Sequence, residues 1–132
     1  MGAEIQESRP IATSRQLAVA CAKICDSKKA EKIVVLDLRK LTFIADYFVV
    51  CSTQNARQSH AIAEAITVDL KRKGVRPVGG APTADGTWVL QDYGDVVVHI
   101  LRDDARAFYD LESHWADAPE VAWKRARRNG AQ

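Results

Sequence analysis

The side chains best suited to chemistry are three histidines and a pair of cysteines, and their spacing matches no common metal or catalytic site. His60, His99 and His114 fall on three separate predicted elements, whereas a structural zinc site needs closely spaced Cys or His pairs. Cys21 and Cys25 lie four residues apart, but on the apolar face of a predicted helix cysteine is more often a small core residue than a ligand. The sequence therefore predicts no metal site and no cofactor.

A serine and four acids offer the remaining routes to catalysis. Ser52 stands between a predicted strand and a predicted helix, but Cys-Ser-Thr-Gln-Asn contains neither a Gly-x-Ser-x-Gly motif nor the glycines of a P-loop. Paired carboxylates hold magnesium or share a proton, and the acids most able to meet across a sheet are Asp37, Asp46, Asp92 and Asp95. No Asp-x-Asp pair occurs, so solvated turn residues are the preferred interpretation. A nucleotidyl or phosphoryl transferase using Asp37, Asp92 or Asp95 with magnesium is the alternative.

Length and composition favour one soluble domain. The chain has 132 residues, of which 47% are hydrophobic and 27% charged, as expected of a single globular domain. No apolar run approaches the roughly 18 to 20 residues of a membrane helix, and the first residues lack the pattern of an export signal. We expect a cytoplasmic protein with a flexible lead-in over 1–13, one domain over 14–119 and a basic tail over 120–132.

Positive charge is concentrated at the C-terminus. The net charge is +2, and the last twelve residues carry four positive and no negative side chains, so residues 1–120 have a net charge of −2. Faces that grip phosphate backbones are built from clustered Lys and Arg, so the mildly acidic body favours a basic protein partner. The tail is either a solvated end or a contact to RNA phosphates, which leaves a small RNA-binding module as another alternative. Its basic residues are Lys124, Arg125, Arg127 and Arg128.

Apolar periodicity predicts the order α-β-β-α-(β)-β-β-α, an α/β (α+β) fold with a mixed sheet of about five strands and helices mainly on one face. The predicted elements are a helix over 14–28, antiparallel strands over 32–38 and 47–51, a helix from Asn55 to Lys73, a short strand over 75–78, two strands joined at Gly94-Asp95, and a helix carrying Ala107, Phe108, Leu111 and Trp115, with Pro119 opening a last helical segment.

The predicted hairpin around Gly94-Asp95 separates two faces. Its pairs are Trp88 with Leu101, Leu90 with His99 and Asp92 with Val97. One face collects Val89, Tyr93, Val96, Val98 and Ile100, and the other collects Trp88, Leu90, Asp92, Val97, His99 and Leu101. Because an unpaired buried Asp is costly, we expect helices to cover the apolar face and Trp88 to lie near solvent as a protein-binding hot spot. A purely structural role for Trp88 fits the sequence equally well.

Two long stretches resemble the ribosomal silencing factor family, also called the Iojap family. They are Val35-Leu-Asp-Leu-Arg-Lys-Leu-Thr-Phe-Ile-Ala-Asp-Tyr-Phe-Val-Val-Cys-Ser52 and Trp88-Val-Leu-Gln-Asp-Tyr-Gly-Asp-Val-Val-Val-His99, followed by Ala107-Phe-Tyr-Asp-Leu-Glu112 and Trp115. The resemblance covers about residues 14–119. It implies a protein without enzymatic activity that binds ribosomal protein number fourteen of the large subunit, obstructs joining of the small subunit and lowers translation, notably when nutrients are short.

The resemblance also implies a fold like that of nucleotidyltransferases without their active site. Organellar members are linked to assembly of the large subunit. The predicted partner-binding residues are Trp88, Leu90, Asp92, Tyr93, Asp95 and His99. Tyr93 falls on the apolar face, so its contact requires the side chain to reach around the end of the hairpin, and Gln91 stands where family members often have an aliphatic residue. An exposed apolar sheet face further predicts a homodimer when the protein is free, and the basic tail is a candidate contact to ribosomal RNA.

Overall fold

The computed structural model describes residues 11–80 and 85–124, which form four helices and four strands. None of the helices in these two ranges is both long enough and apolar enough to cross a bilayer. In chain order the elements are α1 (Ser14–Ser27), β1 (Glu31–Asp37), β2 (Tyr47–Thr53), α2 (Ala56–Arg72), β3 (Trp88–Asp92), β4 (Val96–Arg102), α3 (Asp103–Tyr109) and α4 (Leu111–His114).

Side-chain caps fix where the two long helices begin. Asn55 accepts a hydrogen bond from the Gln58 amide at 2.8 Å, which confirms it as the predicted cap of α2. Helix α1 begins at Ser14, as predicted, and Thr13 caps it: the Thr13 hydroxyl accepts from the Gln16 amide, and Gln16 Oε1 accepts from the Thr13 amide, which completes a capping box. Both helices bury one apolar face against the sheet.

The sheet is mixed, as predicted, with the strand order β1-β2-β4-β3. Strands β1 and β2 are antiparallel, β2 and β4 are parallel, and β4 and β3 form the predicted hairpin. The predicted register is confirmed, since Trp88 pairs with Leu101 and Leu90 with His99. Gly94 has a φ of 88°, a backbone conformation that glycine adopts without strain, at the first turn position.

The fifth strand expected over 75–78 does not form in the described residues. A single bridge between Gly79 and Asp92 takes its place, with the Val78 amide donating to the Asp92 carbonyl at 2.7 Å. Gly80 then passes so close to β3 that a Cβ would stand 2.4 Å from the Leu90 carbonyl oxygen. The sheet edge at β3 is thus closed by a short contact instead of a paired strand.

A similar contact closes the other edge, at β1. The Asp37 amide donates to the Pro119 carbonyl and the Val121 amide donates to the Val35 carbonyl, each at 2.8 Å. The helix predicted to begin at Pro119 does not form in the residues described up to 124. The backbone here is extended instead, and this conformation lets Val121 and Trp123 bury apolar surface against the core. The rest of the predicted tail, 125–132, lies outside the described residues.

The two faces of the sheet are covered differently. Helices α1 and α2 cover one face, as predicted. The second face, expected to be largely open, is covered by residues 103–118, here called the C-terminal cover, which include α3 and α4. The apolar side chains beneath or within this cover are Leu36, Leu38, Ala45, Phe48, Val50, Val97, Leu101 and Ala105, flanked by Trp88, Leu90, Leu111, Trp115 and Ala118.

Candidate protein-binding surface

Trp88 lies at the rim of the C-terminal cover and is half-buried. Its indole Nε1 donates a hydrogen bond to His99 Nδ1 at 3.2 Å, and its ring lies 4.6 Å from the ring of Tyr109. The expectation that Trp88 lies near solvent holds in part, because the cover shields one portion of the indole and leaves the rest exposed. What remains exposed is an aromatic edge held in one orientation.

His99 is a buried neutral imidazole, 5% exposed. Burial lowers its pKa to about 4, because desolvation penalises the charged ring. Phe48 packs against it in an edge contact at 4.5 Å. Since Nδ1 accepts from Trp88, the proton of the neutral ring is on Nε2, an atom with no hydrogen-bond partner among the residues that the structure describes. His99 thus orients Trp88 and presents no surface of its own.

Tyr93 is buried on the opposite face, beneath the long helices. Its hydroxyl donates to Gln91 Oε1 at 3.3 Å, and burial raises its pKa to about 12. The nonaliphatic Gln91 itself donates to Thr67 and to the Ala63 carbonyl of α2. The side chain of Tyr93 therefore points into the core, and the structure does not bring it around the end of the hairpin.

The remaining predicted residues follow β3 toward the hairpin turn. Leu90 and Asp92 are half-buried and Asp95 is exposed. The carboxylate of Asp92 accepts from the Gly94 amide at 2.7 Å, and the Asp95 carbonyl accepts from the amide of Asp46 in the β1–β2 loop, also at 2.7 Å. The Asp92 side chain and the Asp95 backbone are thus held in place at this end of the sheet.

Two exposed aromatic residues extend the Trp88 edge. Phe108 and Tyr109, at the end of α3, are 80% and 48% exposed, and their rings are 5.0 Å apart. Together with Trp88 they form a surface that we call the aromatic ridge. The sequence predicts one helix carrying Ala107, Phe108, Leu111 and Trp115, but the helix breaks at Asp110, whose φ of 49° is left-handed, so these residues are divided between α3 and the segment that follows.

A second apolar surface, which was not predicted from the sequence, lies in the β1–β2 loop. Phe43 is fully exposed, and its neighbours Leu41 and Ile44 are 43% and 69% exposed. This loop reaches the hairpin turn through the Asp46–Asp95 contact. The only sequence signal for it is the Leu-Thr-Phe-Ile run between two strands, which carries apolar residues where a turn usually has polar ones.

Buried polar contacts hold the C-terminal cover in place. The Arg106 guanidinium is 8% exposed, donates to Ser52 Oγ at 3.0 Å, and pairs with the Glu112 carboxylate. Trp115 packs edge-on against Phe48 at 5.7 Å. Ser52, considered above as a nucleophile, is therefore a buried acceptor that anchors the cover to the end of β2.

The acids considered for catalysis do not all converge: Asp46 and Asp95 are joined by a backbone hydrogen bond, but Asp37 and Asp92 lie apart. Asp37 lies on β1 and Asp92 on β3, the two edges of the sheet, which two intervening strands separate by roughly 14 Å. Asp37 is paired with Arg39 at 2.7 Å, and this hydrogen bond lowers the pKa of its carboxyl. No group of three or more potential metal ligands occurs within 11–80 and 85–124. Cys21, Cys25 and Cys51 are buried. Burial raises the pKa of Cys21 to about 12, and a hydrogen bond with the Cys51 thiol, together with burial, raises the pKa of Cys25.

Comparison with known proteins relates this chain to ribosomal silencing factors. A family model described as "Ribosomal silencing factor during starvation" matches residues 11–132. Ribosomal silencing factor RsfS of Bacillus subtilis is 40% identical over 98 residues, 74% of this chain and 83% of that protein. The chloroplastic protein Iojap of Zea mays is 35% identical over 104 residues, 79% of this chain and 45% of that protein.

A solved structure has the same fold. The crystal structure of a Chromobacterium violaceum protein matches with a TM-score of 0.76 and 30% sequence identity, covering 87% of this chain and 95% of the other. The resemblance in the two long sequence strings is thereby confirmed. This chain belongs to the ribosomal silencing factor (RsfS, or Iojap) family of translation regulators.

Proposed function

We propose that this protein lowers translation by binding ribosomal protein number fourteen of the large subunit and blocking the joining of the small subunit by its bulk, especially when nutrients are short. Family membership supports the general silencing role. The observation that carries the proposal is the aromatic ridge, because exposed, preoriented aromatic side chains supply much of the energy of protein interfaces.

The proposed contact surface runs along β3 from the aromatic ridge toward the hairpin turn. Trp88, Leu90, Asp92 and Asp95 are exposed in part or in full, and the two carboxylates suit a basic ribosomal protein. Tyr93 and His99 are buried, so we assign them a positioning role: His99 through its hydrogen bond to Trp88, and Tyr93 through packing under the hairpin.

The test combines co-sedimentation with large subunits and calorimetry with isolated ribosomal protein fourteen. Phe108→Ala removes an exposed ring without disturbing the core and should weaken binding at least tenfold, and Trp88→Ala should weaken it further. Val68→Ala, which trims an exposed aliphatic residue on α2, is the matched control and should bind normally. Wild-type affinity in the Phe108 and Trp88 variants would refute this surface, and normal subunit joining with saturating wild-type protein would refute the silencing mechanism.

Several finer expectations belong to the same proposal. We propose that the protein acts in the cytoplasm, performs no catalysis, and keeps a nucleotidyltransferase-like fold without the active site. Calorimetry that detects magnesium or nucleotide binding would argue against the noncatalytic role. The homodimer of the free protein stays a prediction, which analytical ultracentrifugation tests directly.

A further inference from the structure

The β1–β2 loop presents three apolar side chains to solvent at the turn end of the sheet. They belong to Leu41, Phe43 and Ile44, and we call them the apolar tip. Leaving such side chains in water forgoes the favourable free energy of their burial, and the folding of one chain does not recover it. A contiguous apolar patch on a protein surface often marks an interaction site.

The loop holds the apolar tip in a fixed conformation. Its base is buried, since Leu38 and Ala45 pack beneath the C-terminal cover. The amides of Leu41 and Thr42 donate to the Leu38 carbonyl at 2.9 and 3.2 Å, and the Ile44 amide donates to Thr42 Oγ1 at 3.2 Å. Because the loop is already ordered, a partner that binds the tip loses little affinity to the cost of ordering it.

Charges of opposite sign lie on the two sides of the apolar tip. Lys40 precedes the tip, just after β1, whereas Asp95 precedes β4 and is joined to Asp46 by a backbone hydrogen bond of 2.7 Å. Strand β2 lies between β1 and β4, which places these two strands about 10 Å apart. Both side chains are exposed, and neither forms an ion pair with another residue in 11–80 or 85–124.

The whole turn end of the sheet carries a balance of basic and acidic side chains. Some of them are paired within the chain, Arg39 with Asp37 and Lys73 with Asp69. The basic residues are Arg15, Arg39, Lys40, Lys71, Arg72, Lys73 and Arg76, and the acidic residues are Asp37, Asp46, Asp69, Asp92, Asp95, Asp117 and Glu120. A strongly basic partner gains little at this loop, where Arg39 and Lys40 would repel it. A second copy of the same surface can instead place each charge opposite its complement.

We propose that the apolar tip is the interface of a two-fold homodimer. In a two-fold contact the same patch serves both copies, so the two tips pack against each other and Lys40 of each copy lies opposite Asp95 of the other. The sheet face from which the sequence predicts a homodimer is occupied by the C-terminal cover, and the loop takes its place in this proposal. It goes beyond the silencing proposal, because the contact needs no ribosomal partner.

The test is sedimentation velocity of the full chain at concentrations from about 5 to 200 μM, because three side chains form a small interface and imply a weak dimer. The wild type should shift from monomer toward dimer. Phe43→Ala removes an exposed ring without disturbing the core, and it should raise the dimer dissociation constant at least tenfold. The matched control is Phe108→Ala, which removes an exposed ring from the aromatic ridge and should dimerise as the wild type does.

Three results of this experiment would each overturn the proposal. They are a wild type that stays monomeric over the whole range, a Phe43→Ala variant that associates normally, and an equal loss of association in Phe108→Ala. The free energy of unfolding of Phe43→Ala should equal that of the wild type, because the side chain is fully exposed. A weakened dimer with unchanged stability is what an interface residue produces and a structural residue does not.

A charge exchange tests the two-fold arrangement. Lys40→Asp and Asp95→Lys each place like charges opposite one another and should raise the dimer dissociation constant about 3- to 10-fold. The combined variant restores opposite charges and should return to within about twofold of the wild type; a combined variant as weak as the single ones would overturn this pairing. Calorimetry with ribosomal protein fourteen separates the dimer from silencing, since Phe43→Ala should retain that protein, whereas Phe108→Ala should lose it and still dimerise.

Discussion

Alternate residues of the same strands lie on the two faces of the sheet, and the two faces differ in the kinds of side chain that they bury. Under α1 and α2 the buried strand residues are apolar except for Tyr47 and Thr53, whose hydroxyl is hydrogen-bonded to Ser59 of α2, and two helices of 14 and 17 residues lie over them. Under the C-terminal cover lie a neutral His99 and the Arg106–Ser52 contact, with Trp88 at the rim. The first face is built for stability, whereas the second combines packing with polar groups whose protonation and pairing can be changed.

The largest effect is expected on the first face. Ile66 is fully buried in α2, so Ile66→Ala should lower the free energy of unfolding by about 3 to 4 kcal/mol through lost burial and a residual cavity. Urea denaturation measures this. Val68→Ala, on the exposed side of the same helix, should change it by less than about 0.5 kcal/mol. Similar losses of unfolding free energy in Ile66→Ala and Val68→Ala would contradict the packing of α2 against the sheet through Ile66.

The second face should respond to pH through His99. The pKa of its ring is about 4 in the folded protein and near 6.5 when unfolded, so the unfolded chain takes up the proton first as pH falls. The stability that neutral His99 contributes is fully present above pH 6.5. As the pH falls toward 4, the free energy of unfolding decreases by about 2 to 3 kcal/mol.

His99→Gln isolates this effect, since Gln can accept from Trp88 but does not titrate. Denaturation at pH 7 and at pH 4.5 should show a smaller loss for the variant than for the wild type. Parallel pH dependence in the two proteins would contradict a neutral buried His99.

A smaller effect is expected at the anchor of the cover. Arg106→Met keeps apolar volume but leaves Ser52 and Glu112 without their donor, and because Glu112 is partly exposed it can rehydrate. We expect a loss of about 1 to 2 kcal/mol. Hydrogen exchange should accelerate in residues 103–115 and not in α2. The surface pair Arg102–Asp104 gives the control, and Arg102→Met should leave both observables unchanged.

The difference between the two faces also explains which structural features could be predicted from the sequence. The first face follows from local rules: helix periodicity, the Asn55 cap, strand alternation and a Gly-Asp turn gave the long helices and the hairpin register. The second face depends on a backbone break at Asp110 and on contacts between residues far apart in the chain, such as Arg106 with Ser52. Periodicity indicates neither feature, so the sequence predicts one unbroken helix through Phe108 and Trp115 and leaves open whether Trp88 faces solvent or has a purely structural role.

The extended segment at 119–123 has a consequence for how the protein is made. It supplies the hydrogen bonds along the open side of β1, one of the first elements to be synthesised. Until that segment has been translated, β1 is a bare strand edge, available to pair with a strand of another chain. Nascent or prematurely terminated chains ending before residue 119 are therefore the species most prone to edge-to-edge aggregation.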